Sequence, residues 1–63
     1  MKHVIKKLRT EKKEGGKVLT TYLVADDQGN KEEIKSLQDF KDGERVETWF
    51  DSEWNKPKMR KNF

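Results

Sequence analysis

The chain contains no cysteine, one proline, one histidine and no apolar run that approaches a membrane span. Without cysteine there is neither a disulfide framework nor a cysteine-based zinc site, the staples on which a secreted domain of this size usually depends. The expectation is an intracellular, cytoplasmic protein. The opening residues Met1-Lys2-His3-Val4-Ile5-Lys6-Lys7 also lack the apolar stretch of a secretory signal, so no membrane association is expected. His3 stands alone in a basic segment, which argues against a nucleophile-base pair or a histidine metal site. No glycine-rich phosphate loop is present, because Gly15-Gly16 joins two strands and opens no helix. Asp26-Asp27-Gln28-Gly29-Asn30 has the polarity of a calcium loop but not its alternating ligands or closing glutamate, and it reads as a turn. Glu32, Glu33, Glu44 and Glu47 read as surface carboxylates. A non-catalytic protein with no cofactor and no metal is expected.

What is present is charge, aromatic side chains and strand alternation. Sixty-three residues make one small domain, close to the lower limit for a core without disulfides or metal. Charged residues are 43% of the chain and apolar residues 30%, values that lean towards disorder. Three phenylalanines, two tryptophans and a tyrosine, set in alternating segments, decide for a folded domain with a heavily charged surface. The net charge of +3 is unevenly spread. Residues 1–13 carry six basic groups against Glu11, residues 56–63 carry Lys56, Lys58, Arg60 and Lys61 with no acid, and the stretch between is acidic.

The alternation predicts five strands. Val4 and Ile5 are β-branched and have no N-cap before them, so residues 3–13 read as a first strand, with a helix as the competitor. Gly15-Gly16 can take the positive φ of a tight hairpin. Residues 17–25 are the surest strand and belong at the centre of the sheet. After the Asp26–Asn30 turn, a short third strand with Ile34 as its anchor ends near Ser36. Residues 36–40 are expected to hold at most one helical turn, with Leu37 and Phe40 both packed on a barrel end. Asp42-Gly43 opens a fourth strand in which Val46 and Phe50 face inward and Arg45, Glu47 and Trp49 outward. Residues 51–55 turn into a fifth strand in which Pro57, lacking an N–H, requires a strand start or an edge. An all-β fold is expected, with five antiparallel strands closed into a small barrel that removes exposed edges.

Phe40-Lys41-Asp42-Gly43-Glu44-Arg45-Val46-Glu47-Thr48-Trp49-Phe50 and the basic strand after it resemble the strand entry of small β-barrels of the OB-fold and SH3-like type. The size, charge and lack of cysteine also resemble small bacterial or phage-encoded proteins. The resemblance implies a module that binds single-stranded DNA or RNA with stacked aromatics and basic groups, or one that serves a protein partner. In an SH3-like barrel the first and last strands are neighbours, which would merge the two basic ends into one surface. Lys6, Lys7, Arg9, Lys56, Lys58, Arg60 and Lys61 would then capture phosphates, while Tyr22, Trp49 and Trp54 stack on bases. Each has a plainer reading: the basic runs keep a small domain soluble, Tyr22 belongs to the core edge, Trp49 packs on a neighbour, and Trp54 folds back as a plug. The alternative to a nucleic-acid partner is a protein partner or a second copy, a small regulator or inhibitor among them.

Overall fold

The β-branched and aromatic run Val18-Leu19-Thr20-Thr21-Tyr22-Leu23-Val24 folds as a strand that gives the core Tyr22 and Val24. A computed structural model describes residues 1–62, so Phe63 lies outside the described residues. The strands are β1 (Lys2–Lys12), β2 (Val18–Ala25), β3 (Lys31–Ser36), β4 (Arg45–Asp51) and β5 (Lys56–Lys61), all antiparallel in one sheet of order β3-β2-β1-β4-β5. β2 is an interior strand between β3 and β1, in keeping with its two apolar faces, while β1 holds the middle of the sheet, and Pro57 lies on the edge strand β5. The core is Val4, Tyr22, Val24, Ile34, Phe40, Val46 and Met59, one or two residues from each strand plus Phe40 from the β3–β4 connection. No helix among the described residues is long and apolar enough to cross a membrane.

β1 serves two neighbours in turn. It pairs with β4 only through Lys2 and His3, then continues beside β2 to Lys12 with two register shifts, between Val4 and Lys6 and between Lys7 and Arg9. Such bulges bend a strand and increase its twist. The far half of β1 therefore leaves β4, and residues 6–10 are all exposed. The radius of gyration, 11.6 Å, exceeds the roughly 10.6 Å of a compact chain of this length because the hairpins project from the core.

Several expectations are corrected here. β3 and β5 run close together, but no strand pairing joins them and the sheet is not closed. The physical reason lies in the edges: β5 carries Pro57, which has no N–H to give, and β3 carries Lys31, Glu32, Glu33 and Lys35. β1 and β5 are not neighbours, since β4 lies between them, so the two basic ends do not merge through adjacent strands. Residues 36–40 form no helical turn, within the expectation of at most one, and among the described residues the one helical element is a 3-10 turn at Glu14–Gly16 in the β1–β2 hairpin, where Gly15 and Gly16 both take φ 77°.

The β3–β4 connection is instead tied down by side chains. Ser36 Oγ accepts the Gln38 N–H at 3.1 Å, and Tyr22 Oη accepts the Phe40 N–H at 3.0 Å while donating to the Gln38 carbonyl at 3.2 Å. These bonds replace the intrahelical ones that a turn would make. Phe40 is thereby laid edge-on against Tyr22, with ring centroids 5.3 Å apart, whereas Leu37 points to solvent. Asp42-Gly43 completes the entry to β4: Gly43, at φ 81°, donates to the Val4 carbonyl at 2.7 Å, and the Val4 N–H donates to the Glu44 carbonyl.

Candidate functional site

The register of the β4–β5 hairpin sorts its side chains onto two faces. Val46, Thr48 and Met59 face the core, and Phe50 with its partner Pro57 continues that face beyond the end of the core. Phe50 was expected inside and is 62% exposed, because its pair with Pro57 lies one step beyond Thr48 and Met59, past the end of the core cluster. On the outer face, Glu47 lies opposite Arg60, Trp49 opposite Lys58 and Asp51 opposite Lys56. Trp49 projects outward as its alternation with Val46 requires.

Trp54, whose plainer reading was a plug on the barrel end, is 63% exposed. The turn that carries it explains why. Asp51 Oδ1 accepts the N–H groups of Glu53 and Trp54 at 3.0 and 3.3 Å, and Asn55 takes the left-handed conformation at φ 54° before β5 begins. This tight Asx-type turn holds Trp54 at the hairpin tip, away from the core. Lys58 Nζ donates to Asp51 Oδ2 at 2.9 Å and lies 5.7 Å from the Trp54 ring centroid; Lys56 Nζ lies 6.0 Å from the same ring. Arg60 sits 5.7 Å from the Trp49 ring. β5 thus supplies a row of cations at the faces of both tryptophans, a favourable arrangement for rings left in solvent.

The outer face of Trp49 opens onto a groove of about 540 Å³ where the β1–β2 connection, the end of β3 and the β4–β5 hairpin meet. Its lining includes Lys13, Lys17, Lys35, Lys56 and Lys58, the apolar Leu19, Leu37, Trp49 and Met59, and the polar Ser36 and Gln38. Among the described residues, no carboxylate lines it. Five lysines around an apolar floor with an exposed indole combine positive charge with a flat apolar surface in one groove.

Of the residues selected from sequence, Trp49, Lys56 and Lys58 line the groove and Trp54 stands beside Lys56 and Lys58. Arg60 lies next along β5, and Lys61 turns to the other face opposite Val46. Lys6, Lys7 and Arg9 lie on β1, outside the groove lining. Tyr22 is fully buried and cannot stack on a ligand; its ring belongs to the core and its hydroxyl to the Phe40 connection. Lys13, Lys17, Lys35, Leu19 and Leu37 were missed. The signal for two of them was strand parity: Thr21 pairs with Lys35, so Leu19, Thr21 and Lys35 share the face opposite Tyr22 and Ile34.

Charge around the site is partly compensated. Glu11 accepts Lys13 at 3.2 Å, and this hydrogen bond, with the nearby charges of Lys13, Lys35 and Arg9, holds its carboxyl below the usual range. Asp51 is lowered by its bond from Lys58 and by the N–H groups of the turn. Asp26 is lowered chiefly by the Asn30 side chain and by the Asn30 and Gln28 N–H groups, so this carboxylate is occupied in closing its own turn. No group of acidic or histidine side chains fit for a metal occurs among the described residues. Comparison with family models, with curated proteins and with solved structures yields no match.

Proposed function

We propose that the protein is a non-catalytic, cytoplasmic module that binds single-stranded nucleic acid with little sequence preference in the lysine-lined groove beside Trp49. The observation that carries this reading is the composition of one surface: five lysines, an exposed indole and no carboxylate in the same groove. Phosphates answer to the lysines, and bases answer to the tryptophans, because every base offers a flat face for stacking. A duplex keeps its bases stacked on one another and gives Trp49 nothing to meet. The groove draws on β2, β3, the β1–β2 connection and the β4–β5 hairpin, the parts through which an OB-fold barrel takes oligonucleotides, and this supports the OB-like reading over the SH3-like one.

Titration of a labelled single-stranded oligonucleotide at low salt, followed by anisotropy, tests the proposal. Saturable binding is expected, weaker for a duplex of equal length, with Trp49→Ala costing about 1–3 kcal/mol. Absence of binding, or binding untouched by joint Lys35→Glu and Lys56→Glu changes, refutes it.

A second reading rests on Phe50 and Trp54, each more than 60% exposed on the same hairpin. Such a pair favours a protein partner or a second copy. Sedimentation at rising concentration, and pull-down after nuclease treatment with Phe50→Ser as control, separate this from nucleic-acid binding.

A further inference from the structure

The nucleic-acid reading is the ground for a sharper assignment of which cations meet the ligand. We infer that Lys17, Lys35 and Lys56, from three separate parts of the chain, are the phosphate contacts of the groove, whereas Lys58 and Arg60 support the tryptophan rings. The distinction comes from the ion pairs. Lys58 is held by Asp51 at 2.9 Å, and Arg60 reaches Glu47 with both Nη2 and Nε, at 2.9 and 3.0 Å. Lys61 faces Glu44, Arg9 faces Glu33 and Lys13 faces Glu11. Lys17, Lys35 and Lys56 have no carboxylate within ion-pairing distance among the described residues.

A phosphate approaching a paired cation meets the partner carboxylate as well. It must either displace that carboxylate and leave it uncompensated beside an anionic ligand, or remain at a distance where little counterion is released. An unpaired lysine imposes neither condition. The five groove lysines therefore divide into three with no carboxylate at ion-pairing distance among the described residues, of which Lys35 feels Glu11 only from farther off, and two, Lys13 and Lys58, whose charge is already shared.

Lys58 and Arg60 have another task in this arrangement. Asp51 binds the turn amides of Glu53 and Trp54 through Oδ1 and Lys58 through Oδ2, so one carboxylate fixes both the backbone of Trp54 and the cation at its ring. Glu47 likewise holds Arg60, whose guanidinium lies at the Trp49 ring. A cation at one face of an indole leaves the opposite face for a base. Asp51 and Glu47 are positioning residues, acting on the ligand only through the cations and rings they hold.

The dependence of affinity on salt reads the difference directly. For a labelled oligothymidine the slope of log K against log salt should be about −2, three phosphates at roughly 0.7 each for a single strand. Lys35→Ala and Lys56→Ala should each make the slope shallower by about 0.7, with Lys35→Gln as a second neutral variant and circular dichroism to confirm folding. Lys58→Ala, Arg60→Ala and Asp51→Asn should weaken binding severalfold and leave the slope unchanged. A wild-type slope near −5, as expected if the seven cations first selected from sequence all met phosphate, overturns the assignment. So does a loss of slope in Arg60→Ala equal to that in Lys35→Ala. Failure of the wild type to bind at low salt is a separate result, which overturns the nucleic-acid reading and this assignment with it.

Discussion

Two aromatic pairs, Tyr22 with Phe40 and Trp49 with Trp54, use the same kind of side chain for opposite ends. The first pair meets edge to face inside the core, with the tyrosine hydroxyl satisfied by the chain that carries Phe40. The second pair is exposed and has cations rather than hydrocarbon at its rings. The difference does not arise from the residues themselves. Tyr22 lies on a strand flanked by β1 and β3 and turns its ring into the core, whereas Trp49 and Trp54 stand on the outer face and tip of the β4–β5 hairpin, where both are exposed. A sheet of five strands has one inner face to fill, and once Val4, Val24, Ile34, Val46 and Met59 join Tyr22 and Phe40 there is no room left for an indole.

Breaking the buried pair should have the largest effect. Phe40→Ala removes a ring that is 4% exposed and should cost about 3–5 kcal/mol, measured by urea denaturation. For a chain of this length that approaches the whole of the expected stability, about 3–9 kcal/mol. Tyr22→Phe keeps the ring and removes only the hydroxyl. Leaving the buried Phe40 N–H without its acceptor should cost about 1–3 kcal/mol, seen as a lower urea midpoint with unchanged slope. A neutral result would mean that the hydroxyl does not anchor the β3–β4 connection.

The exposed pair should behave in the opposite sense. Trp54→Ala should change stability by no more than about 0.5 kcal/mol while weakening oligonucleotide binding. A large loss of stability would place Trp54 with the core aromatics and end the contrast.

The smallest effect concerns the Asp51 turn, and its sign follows from linkage. The folded state lowers the Asp51 pKa, so folding favours the ionised form. Its contribution is full above the ordinary carboxylate range and is lost as pH falls through the folded pKa. The melting temperatures of the wild type and Asp51→Asn should therefore differ near neutral pH and converge in acid. A difference that grows as pH falls would contradict the turn geometry.

The five strands and their order along the chain were legible because alternation, β-branching and turn residues agreed at every boundary. Val18–Ala25 as an interior strand, Pro57 at an edge and the paired positive φ of Gly15 and Gly16 all followed from local chemistry, although the middle place in the sheet went to β1. What was not legible depended on partners distant in sequence. The Phe40 N–H is taken by Tyr22, eighteen residues earlier, and this leaves residues 36–40 without the one helical turn that their spacing allowed. Phe50 has the inward parity of Val46, yet parity says nothing about whether the core extends that far. The two basic ends suggested one surface from charge alone, but β4 lies between their strands and the groove takes Lys17 and Lys35 from the acidic middle. Counting charges along the chain could not find lysines that only the fold brings together.

The central claim, that single strands lie in this groove, is tested most directly by following backbone and indole N–H resonances during titration with an oligothymidine. The expected result is that shifts concentrate at Lys13, Lys17, Leu19, Lys35 to Gln38, Trp49, Lys56 and Lys58, with both indole N–H signals moving. Shifts concentrated instead on Lys6 to Arg9 of β1, or no shifts at all at low salt, would contradict it.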